Sequence, residues 1–381
     1  TGEFAYKVKK PIKLSFLDYS TLERRRVLCE EELRLNRRLA PELYLGVSAI
    51  GGSLERPQID STGPPLEYAV RMRQFSSADE LSSLLAAGSV TAHDVAALGA
   101  GIARFHAAAA PAPAGSPFGR AGTAHRVTMD NFAELRALPE AADWASQLPG
   151  LESRISTLHR GLRPLMDERY EGGRVRECHG DLHCGNVVRW AGALTPFDGI
   201  EFEPGLRFID VINDIAFLTM DLAERGHVDL RRVVLQAWTD TSGDWSGLPL
   251  LPYYEAYRAL VRAKVDALRA LQLDANSPAR AAAVADCRRY LDWAGARVAG
   301  HRPLLLITCG LSGSGKTWMA RRLAERLGAL HLRSDVERKR LAGLEAHEDS
   351  RSPPDAGIYT LEFNERTYRR LQECAAASLS A

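Results

Sequence analysis

The residues GLSGSGKT at 310 to 317 constrain this chain more than any other stretch. They fill every position of the pattern GxxxxGK followed by Ser or Thr. They stand between an apolar run, PLLLITCG at 303 to 310, and the amphipathic TWMARRLAERLG. Glycines so placed let backbone N–H groups face phosphate oxygens at a helix N-terminus. Gly310, Gly313, Ser314 and Gly315 form the cradle, Lys316 reaches the outer phosphates, and the Thr317 hydroxyl joins Mg2+. The pattern predicts a buried strand, a loop, a helix and a second short strand in ALHLRS, which is the opening of an α/β domain from residue 301. Nineteen residues after Lys316, Asp335 is expected at the carboxyl end of that second strand. There it can orient an acceptor hydroxyl, with Arg338 nearby for a phosphate; alternatively Ser334 or Asp335 caps the helix VERKRL.

The other 300 residues need a core of their own, since a chain of 381 residues is longer than one core usually fills. Lys and Arg number 49 against 48 Asp and Glu, so a net charge of +1 offers no broad footprint for nucleic acid or an anionic membrane. Six cysteines form no CxxC pair, which argues against a zinc knuckle or a secreted disulfide framework and fits a reducing cytoplasm. No apolar run approaches the roughly 20 residues of a membrane helix. The opening TGEFAYKVKKP lacks a signal pattern, and the chain is expected to begin inside a domain.

Strand-like alternation in FAYKV gives way near Ser20 to a helical stretch running through LAPELYL, with Leu28, Leu35 and Leu39 at helical spacing. VSAIGGS and PPLEYAVRMRQF read as further strands, so a small sheet with one long helix is expected. From Ala78 the pattern is helical. A β-type unit follows in RECHGDLHCGNVVRWAGALTPFDGIEF, and residues 207 to about 300 read as helices again.

Within that unit, HGDLHCGN places His179, Asp181 and Asn186 at the spacing HxDxxxxN, and Asp198 comes twelve residues after Asn186. Phosphoryl transfer needs a carboxylate to orient the acceptor hydroxyl and separate oxygen ligands to hold Mg2+ against the nucleotide phosphates. Asp181 suits the first task, Asn186 and Asp198 the second. The stretch NVVRWAGALTPF can fold as a hairpin turning at Ala191, Gly192 and Ala193, which brings Asn186 and Asp198 to one end of it. Cys178, His183 and Cys184 around this loop lack the paired spacing of a metal cluster.

With these residues, the segment 1 to about 300 resembles the aminoglycoside phosphotransferase family, a branch of the protein-kinase-like fold. The resemblance implies an α+β two-lobed domain in which HxDxxxxN and a following Asp form the catalytic centre. It implies that Lys7 is the strand lysine, with Lys9 the nearest competitor on the same face, and that Glu32 is its helix partner. The alternative for Glu32 is a solvated face with Glu30 and Glu31. Met72 to Gln74 would be the hinge near adenine. Asp210 and Asp214, read as one helix face, offer an anchor for the catalytic-loop backbone or a helix cap. Glu201 would serve a second metal or lie on the surface. The glycine-rich strand pair of the family should precede Lys7 and is not contained in the chain. Residues 221 to 300 carry 11 Lys and Arg against 10 Asp and Glu, which does not favour a polycationic acceptor.

The part from residue 301 is similar to small P-loop kinases of the gluconate-kinase-like, polynucleotide-kinase-like and zeta-toxin-like kinds. No Walker B strand or Arg-rich lid follows, so an N-terminal part of an α/β P-loop NTPase domain is expected over 301–381. The two resemblances together imply an ATP- and Mg2+-dependent kinase that phosphorylates a small-molecule hydroxyl, with a second nucleotide site. Two alternatives are a nucleotide-sensing regulatory first part, and a second part acting on nucleic-acid ends. ARRLAER and RSDVERKR are interleaved with acids and lack stacking aromatics, which does not favour the latter.

Overall fold

A computed structural model describes residues 2–13, 17–61, 63–139, 144–300, 302–311, 313–345, 348–350, 352–353 and 356–381. The chain opens with β1 (Phe4–Val8), α1 (Leu22–Asn36), β2 (Tyr44–Gly52), β3 (Pro57–Ile59), β4 (Glu67–Arg73) and α2 (Leu81–Ala86). Three helices follow, α3 (Ala92–Ala108), α4 (Ala121–Ala137) and α5 (Leu148–Glu171). Next come β5 (Val175–Glu177), β6 (Val187–Trp190), β7 (Ala193–Pro196), α6 (Pro204–Arg207) and β8 (Phe208–Asp210). The remainder is helical: α7 (Val211–Glu224), α8 (Val228–Ser242), α9 (Leu251–Leu271), α10 (Pro278–Arg297), α11 (Lys316–Leu327), α12 (Ser334–Leu341) and α13 (Leu361–Leu379). These elements divide between two compact units, one of residues 1–94, 108–119 and 173–214, the other of 95–107, 120–172 and 215–381.

In the first unit an antiparallel sheet runs in the order β1-β4-β2-β3. Thr21 starts α1 by accepting from the Arg24 N–H at 3.2 Å. The helix stops at Asn36, nine residues short of the expected stretch, because Pro41 cannot continue it and the chain turns into β2. Cys29, Leu43, Tyr44, Val70, Met72 and Val188 form the core between helix, sheet and hairpin. That hairpin, β6 with β7, closes through Ala191 at φ 47° and Gly192 at φ 84°, a left-handed pair that matches the strand twist. Met72 and Arg73 lie inside β4, and the N–H groups of Arg73 and Gln74 donate to Leu43 and Glu3 carbonyls. The backbone expected at the hinge is therefore taken up by the sheet. Asp210 ends β8 and is not on the helix with Asp214.

The second unit buries Trp144, Trp238, Trp245, Phe217 and Tyr253 among its helices. Its last part departs from expectation. Residues 302–311 carry no strand, and Leu304 and Ile307 are 66% and 81% exposed. ALHLRS likewise forms no strand. An apolar run with both faces uncharged becomes a strand only between ladder partners, and among the described residues none pairs with either segment. The helices α12 and α13 are nonetheless packed. The Glu337 carboxylate accepts from Trp245 Nε1 at 3.2 Å and Arg370 Nε at 3.1 Å. Arg333 pairs with Asp240 at 2.9 Å, and Arg370 donates to the Gly243 carbonyl at 2.7 Å.

Candidate functional site

Lys7 in β1 and Lys9, just beyond its end, both reach α1 at Glu32. Lys7 Nζ lies 3.0 Å from Glu32 Oε1 and also bonds Asp198. Lys9 Nζ lies 2.6 Å from Glu32 Oε2, bonds Glu201, and sits 5.0 Å from the centre of the Tyr19 ring. Exposure separates the two lysines: the Lys7 side chain is 41% exposed and that of Lys9 only 3%. Lys7 can therefore reach a ligand and Lys9 cannot. Burial pulls Lys7 down, but Asp198 and Glu32 outweigh it and hold the ammonium above the ordinary lysine value. Glu32 is fully buried and belongs to no solvated acidic face.

Asp181 and Asn186 are set by the backbone of the HGDLHCGN loop. Asp214, fully buried at the start of α7, accepts from the N–H of His179 at 3.1 Å and of Gly180 at 2.8 Å. Asp210 instead accepts from the Ile212 N–H at 2.8 Å and caps α7. One acid thus anchors the loop and the other caps the helix. Gly180 has φ 86°, and a Cβ there would stand 2.8 Å from the Leu206 carbonyl, so only glycine fits between the loop and α6. His179 takes the Asp181 N–H on Nδ1 at 3.3 Å, so its Nε2–H donates to the Phe197 carbonyl at 2.8 Å. Burial keeps that imidazole below the usual histidine range, hence neutral.

Asn186 Nδ2 donates to the Asp181 carbonyl at 2.9 Å and to its carboxylate at 2.8 Å, and the Phe197 N–H donates to the Asn186 carbonyl at 2.9 Å. The hairpin has done what its sequence predicted: it returns the chain beside Asn186 immediately before Asp198. Asp198 itself has φ 62°. Its N–H donates to the Tyr44 hydroxyl at 3.0 Å, and the next N–H, of Gly199, donates to Asn36 Oδ1 at 2.8 Å. Tyr44 and Asn36 are contributors that spacing did not single out. Asn36 stands one helical turn after Glu32, and that offset was the available signal.

Glu201 is neither a surface acid nor open to a metal. It is buried, accepts from Lys9 and from the Tyr19 hydroxyl at 2.5 Å, and its carbonyl accepts from Arg207 at 3.0 Å. The residues left open are the ones chemistry would use, with Asp181 36% and Asp198 38% exposed. Asn186, its side-chain nitrogen committed to Asp181, has its side-chain Oδ1 left as the atom to offer a cation. Together with the Asp198 carboxylate these are hard oxygen donors, and the donor set fits Mg2+.

The glycine loop of the second unit is described except at Ser312. Gly310, Gly313 and Gly315 take φ values of 146°, 78° and 82°, and Gly315 leads directly into α11 at Lys316 and Thr317. Lys316 Nζ folds back onto the Gly310 carbonyl at 2.7 Å. Asp335 lies in the first turn of α12, not at a strand end, and pairs with Lys339 at 3.3 Å in solvent. Neither Ser334 nor Asp335 caps that helix, whose preceding residue is Arg333. Arg338 is buried and donates to the Ile358 carbonyl at 2.8 Å, so it is not free for a phosphate.

The AAA domain family matches residues 305–381. Over 359 residues, 94% of this chain, it is 32% identical to the "Uncharacterized protein Rv2004c" of Mycobacterium tuberculosis H37Rv, of which 69% is covered. The "Uncharacterized protein Mb2027c" of Mycobacterium bovis matches with the same identity and coverage. Among solved structures, a choline/ethanolamine kinase family protein from Mesorhizobium loti superposes with a TM-score of 0.43 at 11% identity, covering 78% of this chain and 86% of that one. The amicoumacin kinase hAmiN, in complex with AMP-PNP, Ca2+ and Ami, gives 0.41 at 15% identity, covering 71% and 78%.

Proposed function

The chain belongs to the same family as these mycobacterial proteins, and we propose that it is a phosphotransferase moving the γ-phosphate of MgATP to a hydroxyl of a small molecule. What supports this most is the convergence of Lys7, Glu32, Asp181, Asn186 and Asp198 from separate stretches, with the reactive groups open and their supports buried. Asn186 and Asp198 would hold Mg2+, which on binding neutralises charge on the phosphates. Lys7 leaves Asp198 for a phosphate oxygen while Glu32 keeps the ammonium oriented. Asp181 accepts the hydroxyl proton as the acceptor oxygen bonds the γ-phosphorus and the bond to ADP breaks. The buried His179 and Asp214 take no proton in this step; they hold the loop so that Asp181 faces the acceptor.

Residues 301–381 supply a second nucleotide site, in which Gly310, Gly313, Ser314, Gly315, Lys316 and Thr317 cradle MgATP. The placement of Asp335 in solvent beside Lys339 withdraws support for it as the group facing an acceptor there. A second reading, in which the first part only senses nucleotide for the second, is favoured by the polar seam of Asp240, Gly243 and Trp245 with α12 and α13. The cytoplasm is the compartment that suits a chain whose five buried cysteines are all free thiols and whose described residues include no helix long and apolar enough to cross a membrane.

The deciding experiment measures MgATP-dependent phosphate transfer over a panel of hydroxyl metabolites for the wild type, Asp181→Asn and Lys316→Ala. Transfer lost only with Asp181→Asn identifies the first site as the enzyme and that metabolite as its acceptor. Loss only with Lys316→Ala makes the first part a regulatory module.

A further inference from the structure

We propose that Lys9 and Glu201 are positioning residues that hold Asp198 in place for Mg2+ once Lys7 has turned to the nucleotide. This rests on the reading of Asp198 as a metal carboxylate. The motif accounts for one lysine and one helix glutamate, whereas here two lysines share that glutamate, one on each oxygen. The second lysine continues to Glu201, three residues beyond Asp198, and Asp198 returns to Lys7. The result is a closed ring: Lys7, Glu32, Lys9, Glu201, then the short chain back to Asp198.

The ring has an inner and an outer half. Glu32, Lys9 and Glu201 have side chains no more than 6% exposed, so no nucleotide reaches them, while Lys7 and Asp198 are open. When phosphates recruit Lys7, its bond to Asp198 is lost. The inner half then remains as the ion-paired link between β1 and the Asp198 loop. That link matters because Asp198 sits at φ 62°, a left-handed conformation that a non-glycine residue keeps only when its surroundings hold it. Glu201 is well suited to hold it, being fastened at its carboxylate by Lys9 and Tyr19 and at its carbonyl by Arg207.

Groups that orient a metal ligand without touching the metal typically change metal affinity by about 10–100-fold when removed. The test is Mg2+ titration of binding of a non-hydrolysable ATP analogue, followed by calorimetry on the full chain with Lys316→Ala to silence the glycine loop. In that background Asp198→Asn removes the Mg2+ dependence. The neutral pair Lys9→Met with Glu201→Gln raises the Mg2+ needed for half-saturation about tenfold or more, leaves metal-free analogue binding unchanged, and Lys9→Arg with Glu201 intact restores most of it. A folded double variant that titrates like its parent overturns the proposal. Should Asp198→Asn also titrate like its parent, the assignment of Asp198 falls and the proposal with it, a result distinct from the first. If the double variant does not fold, Tyr19→Phe removes one bond to Glu201 and is expected to raise the Mg2+ requirement in the same direction; no change there overturns the proposal equally.

Discussion

The two regions proposed to handle phosphate are built in opposite ways. The site around Asp198 draws on residues up to 192 positions apart in sequence and closes through buried ion pairs. The glycine loop at 310 to 317 is made by neighbours, since three glycines with positive φ and the helix behind them set its shape. Its leading strand, which needs partners, is not formed among the described residues, yet the loop and α11 are. Geometry encoded locally survives without its sheet; geometry encoded by long-range contacts exists only with all its parts.

The sharpest way to break this comparison is at the chemistry. Asp181→Asn should cut phosphate transfer by about 10^2 to 10^4-fold while analogue binding persists, as read by steady-state kinetics and calorimetry. An unchanged rate would remove the first site as the catalyst. Lys316→Ala should abolish one of two nucleotide-binding events, seen as a halved stoichiometry, without touching Asp181-dependent transfer. If that variant also weakened the first site, the two regions would be coupled and the contrast would be too simple.

Stability gives a smaller but cleaner contrast. Asp214→Ala leaves the N–H groups of His179 and Gly180 without their acceptor and should cost about 3 kcal/mol in urea unfolding. Leu306→Ser, in a run that is apolar yet half exposed, should change stability by less than about 0.5 kcal/mol. A large loss there would mean that the run is covered in solution.

Protonation gives the smallest of these effects. In the second unit the rings of His125 and His159 stack at 4.2 Å, and burial lowers both below the ordinary histidine value. A histidine whose folded value is depressed binds its proton more readily when unfolded. Its contribution is therefore intact above about pH 6.5 and falls away as pH drops toward the folded values. The melting temperature should decline over that window, and His125→Gln should flatten the slope; an equal slope in the variant would assign the decline elsewhere.

Much of the first site was legible in advance because its residues carry fixed spacings. HxDxxxxN and the hairpin turn at Ala191 and Gly192 bring Asp181, Asn186 and Asp198 close in sequence and in space, and distant partners then hold them. Lys7 and Glu32 followed from the family resemblance, and alternation left Lys9 as a competitor on the same face. Glu201, Tyr44 and Asn36 were not readable in their roles, because each acts through a partner at least 150 residues away. Asp335 was misplaced for a related reason: its expected strand required neighbours that a sequence pattern cannot supply.

Periodicity, glycine placement and motif spacing thus determined most helices, the hairpin and the candidate reactive groups, since each depends on interactions within a few residues. Which of two lysines stays exposed, which of two aspartates anchors the loop, and which apolar run is left uncovered were decided only in the folded chain. Those outcomes turn on burial and pairing, and both are properties of what the rest of the molecule brings alongside.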